Sequence, residues 1–96
     1  MAADERVTRR IVVEGRVQGV GYRYFVIHEA EALGVIGWVR NLFDGRVELL
    51  AHASPGVIDV LVGRLWSGPR LARVTAVEVD EAAEFVGRGF AVLPSA

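Results

Sequence analysis

Ninety-six residues are enough for one hydrophobic core and too few for two, so residues 1–96 are expected to form a single domain. With 52% hydrophobic and 24% charged residues the chain reads as folded globular material, and a net charge of −1 argues against a general nucleic-acid binder. The lack of cysteine excludes disulfides and thiol chemistry, and the lack of lysine (all eleven positive charges are arginine) excludes Schiff-base chemistry. No apolar run reaches the roughly 20 residues that span a bilayer, and no secretory pattern precedes the first strand. A cytoplasmic protein without membrane partners is expected.

In chain order, Arg6–Glu14 is strand-like, rich in β-branched Val7, Ile11, Val12 and Val13. Tyr22–Leu33 has helical spacing of apolar residues, and Gly34 stands where a C-terminal cap belongs. Val35–Leu42 is a second strand. Asp44-Gly45 reads as a two-residue hairpin turn with both central residues at positive φ. Arg46–Ala53 then alternates, with Val47, Leu49 and Ala51 on one face and Arg46, Glu48 and His52 on the other. Ser54-Pro55 predicts a capped helix running to about Trp66, stopped by Ser67-Gly68-Pro69. Leu71–Asp80 and Phe90–Leu93 complete the set as strands. The order β-α-β-β-α-β predicts an α+β, ferredoxin-like split βαβ fold: an antiparallel sheet, two helices on one face, and a short extra C-terminal strand.

The most informative stretch is Gly15-Arg16-Val17-Gln18-Gly19-Val20-Gly21-Tyr22-Arg23, between the first strand and the first helix. No Ser, Thr, Asp or Asn stands at the start of that helix, so its first N–H groups lack a side-chain acceptor. Gly15, Gly19 and Gly21 allow the backbone to wrap a bound group, and an anion would supply the missing acceptors. A helix terminus alone contributes only about 0.3–1 kcal/mol when exposed. Arg23, which can clamp an oxyanion with two parallel bonds, is the natural second contributor.

Familiar nucleotide motifs do not fit. The residues after Gly19 are Val20-Gly21-Tyr22 rather than Lys followed by Ser or Thr, and Tyr24 stands where a dinucleotide fingerprint needs glycine. No acidic cluster marks a magnesium site. No Cys, Ser or Thr lies near the loop as a nucleophile, while His28 and His52 read as surface or packing residues. Direct attack of water on a bound phosphoryl group is the chemistry left, needing only positioning and charge stabilisation. Asn41 could orient that water, but its place before Asp44-Gly45 equally suits a turn-forming asparagine.

A resemblance resolves the choice. The glycine loop, with Gly37-Trp38-Val39-Arg40-Asn41, Asp44-Gly45-Arg46-Val47-Glu48 and the Phe90-Ala91-Val92 ending, closely resembles the acylphosphatase family across nearly the whole chain. The resemblance implies hydrolysis of acyl phosphates without metal or cofactor, by a monomer that recognises inorganic phosphate as product or inhibitor. It implies that Arg23 binds the phosphate and Asn41 orients the water. The backbone N–H groups of Gln18, Gly19, Val20, Gly21 and Tyr22 would complete the cradle. One position departs from the pattern: Leu42 follows the asparagine where the family often has threonine, so Asn41 is expected to be held less firmly. Tyr22 replaces a common phenylalanine and should keep its ring in the core. Two other classes are distinguishable. A phosphate- or carboxyphosphate-binding module would bind without turnover. An RNA-binding domain of the same element order would show aromatic and basic residues on its third strand, which Arg46-Val47-Glu48-Leu49-Leu50 does not.

Overall fold

A computed structural model describes residues 5–96. Its elements follow the expected order: β1 (Val7–Arg16), α1 (Tyr22–Leu33), β2 (Ile36–Asn41), β3 (Val47–Ala53), α2 (Pro55–Ser67), β4 (Arg73–Glu81) and β5 (Phe90–Val92). The strands form one sheet in the order β4-β1-β3-β2-β5. The β1–β3, β1–β4 and β2–β3 pairs are antiparallel. β5 joins parallel to β2, which makes the five-stranded sheet mixed.

Alternation along the strands decides what the helices cover. Ile11 and Val13 of β1, Val39 of β2, and Val47, Leu49 and Ala51 of β3 are all buried on one face. Tyr22, Val26 and Ala30 of α1 and Ile58, Leu61 and Leu65 of α2 close over them as a single core. α1 ends as its sequence predicts. Gly34 is left-handed at φ 73°, its N–H donates to Glu31, and the Val35 N–H donates to Ala30 at 2.8 Å, a Schellman cap. Ser54 does precede α2 and Pro55 opens it, but the serine hydroxyl makes no capping bond; the helix start relies on the proline and on the Ile58 N–H donating to the Ser54 carbonyl.

Other local expectations are corrected by long-range contacts. The β2–β3 connection is not the two-residue turn, because only Gly45 has positive φ (99°) while Asp44 does not. Gly45 N–H donates to Leu42 and Leu42 N–H to Arg46, which makes a three-residue loop closed by the left-handed glycine. Gly15 belongs to β1 rather than to the loop. It sits at a bulge where β4 approaches so closely that a Cβ would lie 2.0 Å from the Arg73 carbonyl oxygen. On the sheet face away from the helices, Glu48 is buried, held between Arg10 and Arg40. His52, also on that face, is half-buried with Nδ1 2.8 Å from the Thr8 hydroxyl.

Candidate active site

β1 and β2 are both antiparallel to β3, so they run in the same direction and end at the same edge of the molecule. That places the loop after β1 beside Asn41, the last residue of β2. The loop residues alternate in role. Val17 is buried, Val20 packs against the core, and Tyr22 is buried with its hydroxyl donating to the Leu65 carbonyl at 2.7 Å. Burial pushes the Tyr22 phenol well above its ordinary pKa, so it stays neutral and anchors α1 to α2. Between these anchors Gly19 and Gly21 take φ of 74° and 80°, a left-handed conformation that glycine adopts without strain. Nothing lies within 4 Å of where a Cβ would sit on either, which leaves open space beside the backbone.

Gly21 is the N-cap of α1, with no side chain capping the helix and no acidic residue in its first turn. The first intrahelical bond is from Phe25 N–H to the Gly21 carbonyl, at 3.0 Å. The N–H groups of Tyr22, Arg23 and Tyr24 therefore precede the hydrogen-bonded ladder, at the positive end of the helix dipole. Arg23 stands half-buried beside them. Among the described residues no carboxylate pairs with it, whereas Arg10, Arg40, Arg46 and Arg64 each hold one.

Asn41 completes the group. Its Oδ1 is buried and accepts no hydrogen bond from the protein. Its backbone is firmly held: Ala96 N–H donates to the Asn41 carbonyl at 3.1 Å, and Phe43 N–H donates to the Ala96 carbonyl at 2.8 Å. One cavity of about 320 Å³ is lined by Gln18, Gly19, Gly21, Tyr22, Arg23 and Asn41 together. Of the residues expected at the site, only Val20 is absent from the cavity wall, its side chain being turned to the core. His28 is exposed and His52 lies on the far face of the sheet, so neither lines the cavity.

Loop and hairpin are joined by a side chain whose partners the sequence does not identify. Gln18 was expected to contribute only its backbone, yet its Nε2 donates to the Leu42 carbonyl at 2.8 Å and to the Arg46 carbonyl at 2.9 Å. The available signal was an amide side chain in a loop otherwise made of glycine and valine, with no local partner to satisfy it.

Fold and site thus define an α+β domain in which uncapped helix N–H groups, a guanidinium unpaired among the described residues and the Asn41 side chain share one cleft. Residues 9–92 match the acylphosphatase family. The chain is 55% identical over 76 residues to an acylphosphatase of Koribacter versatilis, covering 79% of this chain and 69% of that protein. It is 48% identical over 86 residues to an acylphosphatase of Alkalilimnicola ehrlichii, covering 90% and 97%. The crystal structure of acylphosphatase from Bacillus subtilis superposes with a TM-score of 0.86 at 40% identity, covering 91% of this chain and 98% of that one. The chain belongs to the acylphosphatase family, hydrolases that act on the acid anhydride of acyl phosphates.

Proposed function

We propose that the chain splits acyl phosphates by direct attack of water on phosphorus, with Arg23 and the N–H groups of Gln18 to Tyr22 holding the phosphate and Asn41 holding the water. The observation that carries this reading is Asn41, which lines the same cavity as Arg23 and whose buried Oδ1 receives no donor from the protein. A carboxamide oxygen accepts one O–H of a water and so directs the oxygen lone pair at the phosphorus. The water–phosphorus bond forms as the bond from phosphorus to the acyl oxygen breaks, and the carboxylate departs with the electron pair. The bound phosphate takes the proton of the water. A carboxylate is a good leaving group, so no general acid is required, and the guanidinium and N–H dipoles stabilise charge on the phosphoryl oxygens.

Inorganic phosphate, as the product, fits the same cradle and inhibits. Every side chain the scheme uses comes from one chain, which supports a monomer, and the cytoplasm is the compartment proposed. No helix of the described residues is long and apolar enough to cross a membrane. The test is benzoyl phosphate hydrolysis by the purified chain with and without EDTA. Equal release of benzoate in both is expected. Absence of hydrolysis alongside measurable phosphate binding would contradict the reading and leave a binding module.

A further inference from the structure

The cavity is larger and less polar than a phosphate requires. At about 320 Å³ it falls in the ~300–1,000 Å³ range of small-molecule pockets, and besides Arg23, Asn41 and the loop it is lined by Tyr24, Ile27 and Val92. Tyr24 and Ile27 are three residues apart on α1 and so share a helix face. Val92 of β5 is in register with Val39, two residues before Asn41, which puts it on the helix-covered side of the sheet. Tyr24, 82% exposed, and Val92, 48% exposed, are not spent on the core, and Ile27 packs against the core while staying half-buried. An aromatic ring left that exposed, one residue from the phosphate-binding arginine, contributes little to folding.

We infer that Tyr24, Ile27 and Val92 form an acyl subsite that selects acyl phosphates with an aromatic or extended apolar acyl group over those with a short one. The inference rests on the acylphosphatase reading and extends it to the part of the substrate that the phosphate cradle does not touch. Asn41 and Val92 line the cavity from the sheet, and Tyr24 and Ile27 line it from α1. Edge-to-face or offset stacking on the Tyr24 ring and apolar burial against Ile27 and Val92 would favour an aroyl group, while an acetyl group reaches little of either.

The experiment compares kcat/KM for benzoyl phosphate and acetyl phosphate in wild type, Tyr24→Ala, Tyr24→Phe and Val92→Ser. Wild type should prefer benzoyl phosphate, and Tyr24→Ala should reduce the preference ratio about three- to tenfold, the range expected for losing one aromatic contact. Tyr24→Phe, which keeps the ring, should restore the ratio, and Val92→Ser should reduce it in the same direction as Tyr24→Ala. Competitive inhibition by inorganic phosphate, which has no acyl group, should be the same in all four proteins. An unchanged ratio in Tyr24→Ala and Val92→Ser, with hydrolysis intact, overturns the subsite and leaves the acylphosphatase reading standing. Failure of wild type to hydrolyse either compound overturns the reading itself and the subsite with it.

Discussion

The side-chain amide of Gln18 donates to the Leu42 carbonyl at 2.8 Å, and this bond fastens the glycine loop after β1 to the residue that follows Asn41. A second bond from the same nitrogen to Arg46 secures the other side of the hairpin. Gln18→Ala should therefore separate binding from turnover. Both carbonyls keep another donor, Gly45 N–H for Leu42 and Leu42 N–H for Arg46, so the stability cost should be about 1 kcal/mol. The distance between the cradle and Asn41 would no longer be fixed, and kcat should fall on the order of tenfold or more, since small misplacements are costly in catalysis. Steady-state kinetics with benzoyl phosphate, beside a denaturant melt, measure the two effects separately. An unchanged kcat would show that Gln18 does not position the site.

Arg23 lacks a carboxylate partner among the described residues, so its removal should cost little stability and nearly all function. Arg23→Ala should lose phosphate inhibition and reduce kcat/KM by roughly 10²–10³, the scale of deleting one donor to a developing oxyanion. Arg23→Lys keeps a positive charge but not the planar fork, and should recover only part of the loss. Phosphate inhibition in Arg23→Ala equal to wild type would refute the role.

Leu42 stands where a hydroxyl was expected to steady the asparagine. Its peptide groups are nonetheless pinned on both sides, the N–H to Arg46 and the carbonyl by Gln18 and Gly45. Leu42→Thr should therefore change kcat by less than about tenfold, under ~1.4 kcal/mol of barrier. A larger gain would mean that backbone bonding does not replace the missing hydroxyl.

Glu48, its side chain 5% exposed, lies between Arg10 and Arg40 with the Arg40 Nε at 2.6 Å. Burial alone would raise its pKa, but hydrogen bonds from the two guanidiniums outweigh it and hold the carboxyl below its ordinary range. A group whose pKa is lowered on folding stabilises the protein above its unfolded pKa, and that stability is lost as pH falls through the folded value. Glu48→Gln should cost about 1–2 kcal/mol at pH 7, less than a fully buried pair because both arginines are partly exposed. The gap between wild type and variant should close as pH falls below the usual glutamate pKa of about 4.3. Melts at several pH values check this, and a gap independent of pH would contradict it.

What the sequence made legible was what neighbouring residues decide. Gly34 ends α1 because a left-handed residue is needed one turn after Ala30, and Pro55 opens α2 because its missing N–H costs nothing there. The uncapped start of α1 could be seen in Gly19-Val20-Gly21 for the same reason. Features set by distant partners could not be seen. Gly15 looked like loop glycine because the approach of Arg73, fifty-eight positions away, is a matter of sheet register. The burial of Glu48 is not visible in the alternation of β3 because its partner Arg10 lies thirty-eight residues off. The spacing of Asn41 suits a turn as well as a site, and only the fold brings it to the cavity that Arg23 lines; the Gln18 tie depends on a hairpin whose turn type the Asp44-Gly45 pair misrepresents.

The central claim is that Asn41 orients the attacking water in a cradle that binds phosphate without it. The most direct measurement is the kcat of Asn41→Ala for benzoyl phosphate together with its inhibition constant for inorganic phosphate. The account predicts a kcat lower by roughly 10²–10³ with phosphate inhibition close to wild type. Wild-type turnover in Asn41→Ala, or a loss of phosphate inhibition equal to the loss of turnover, would contradict it.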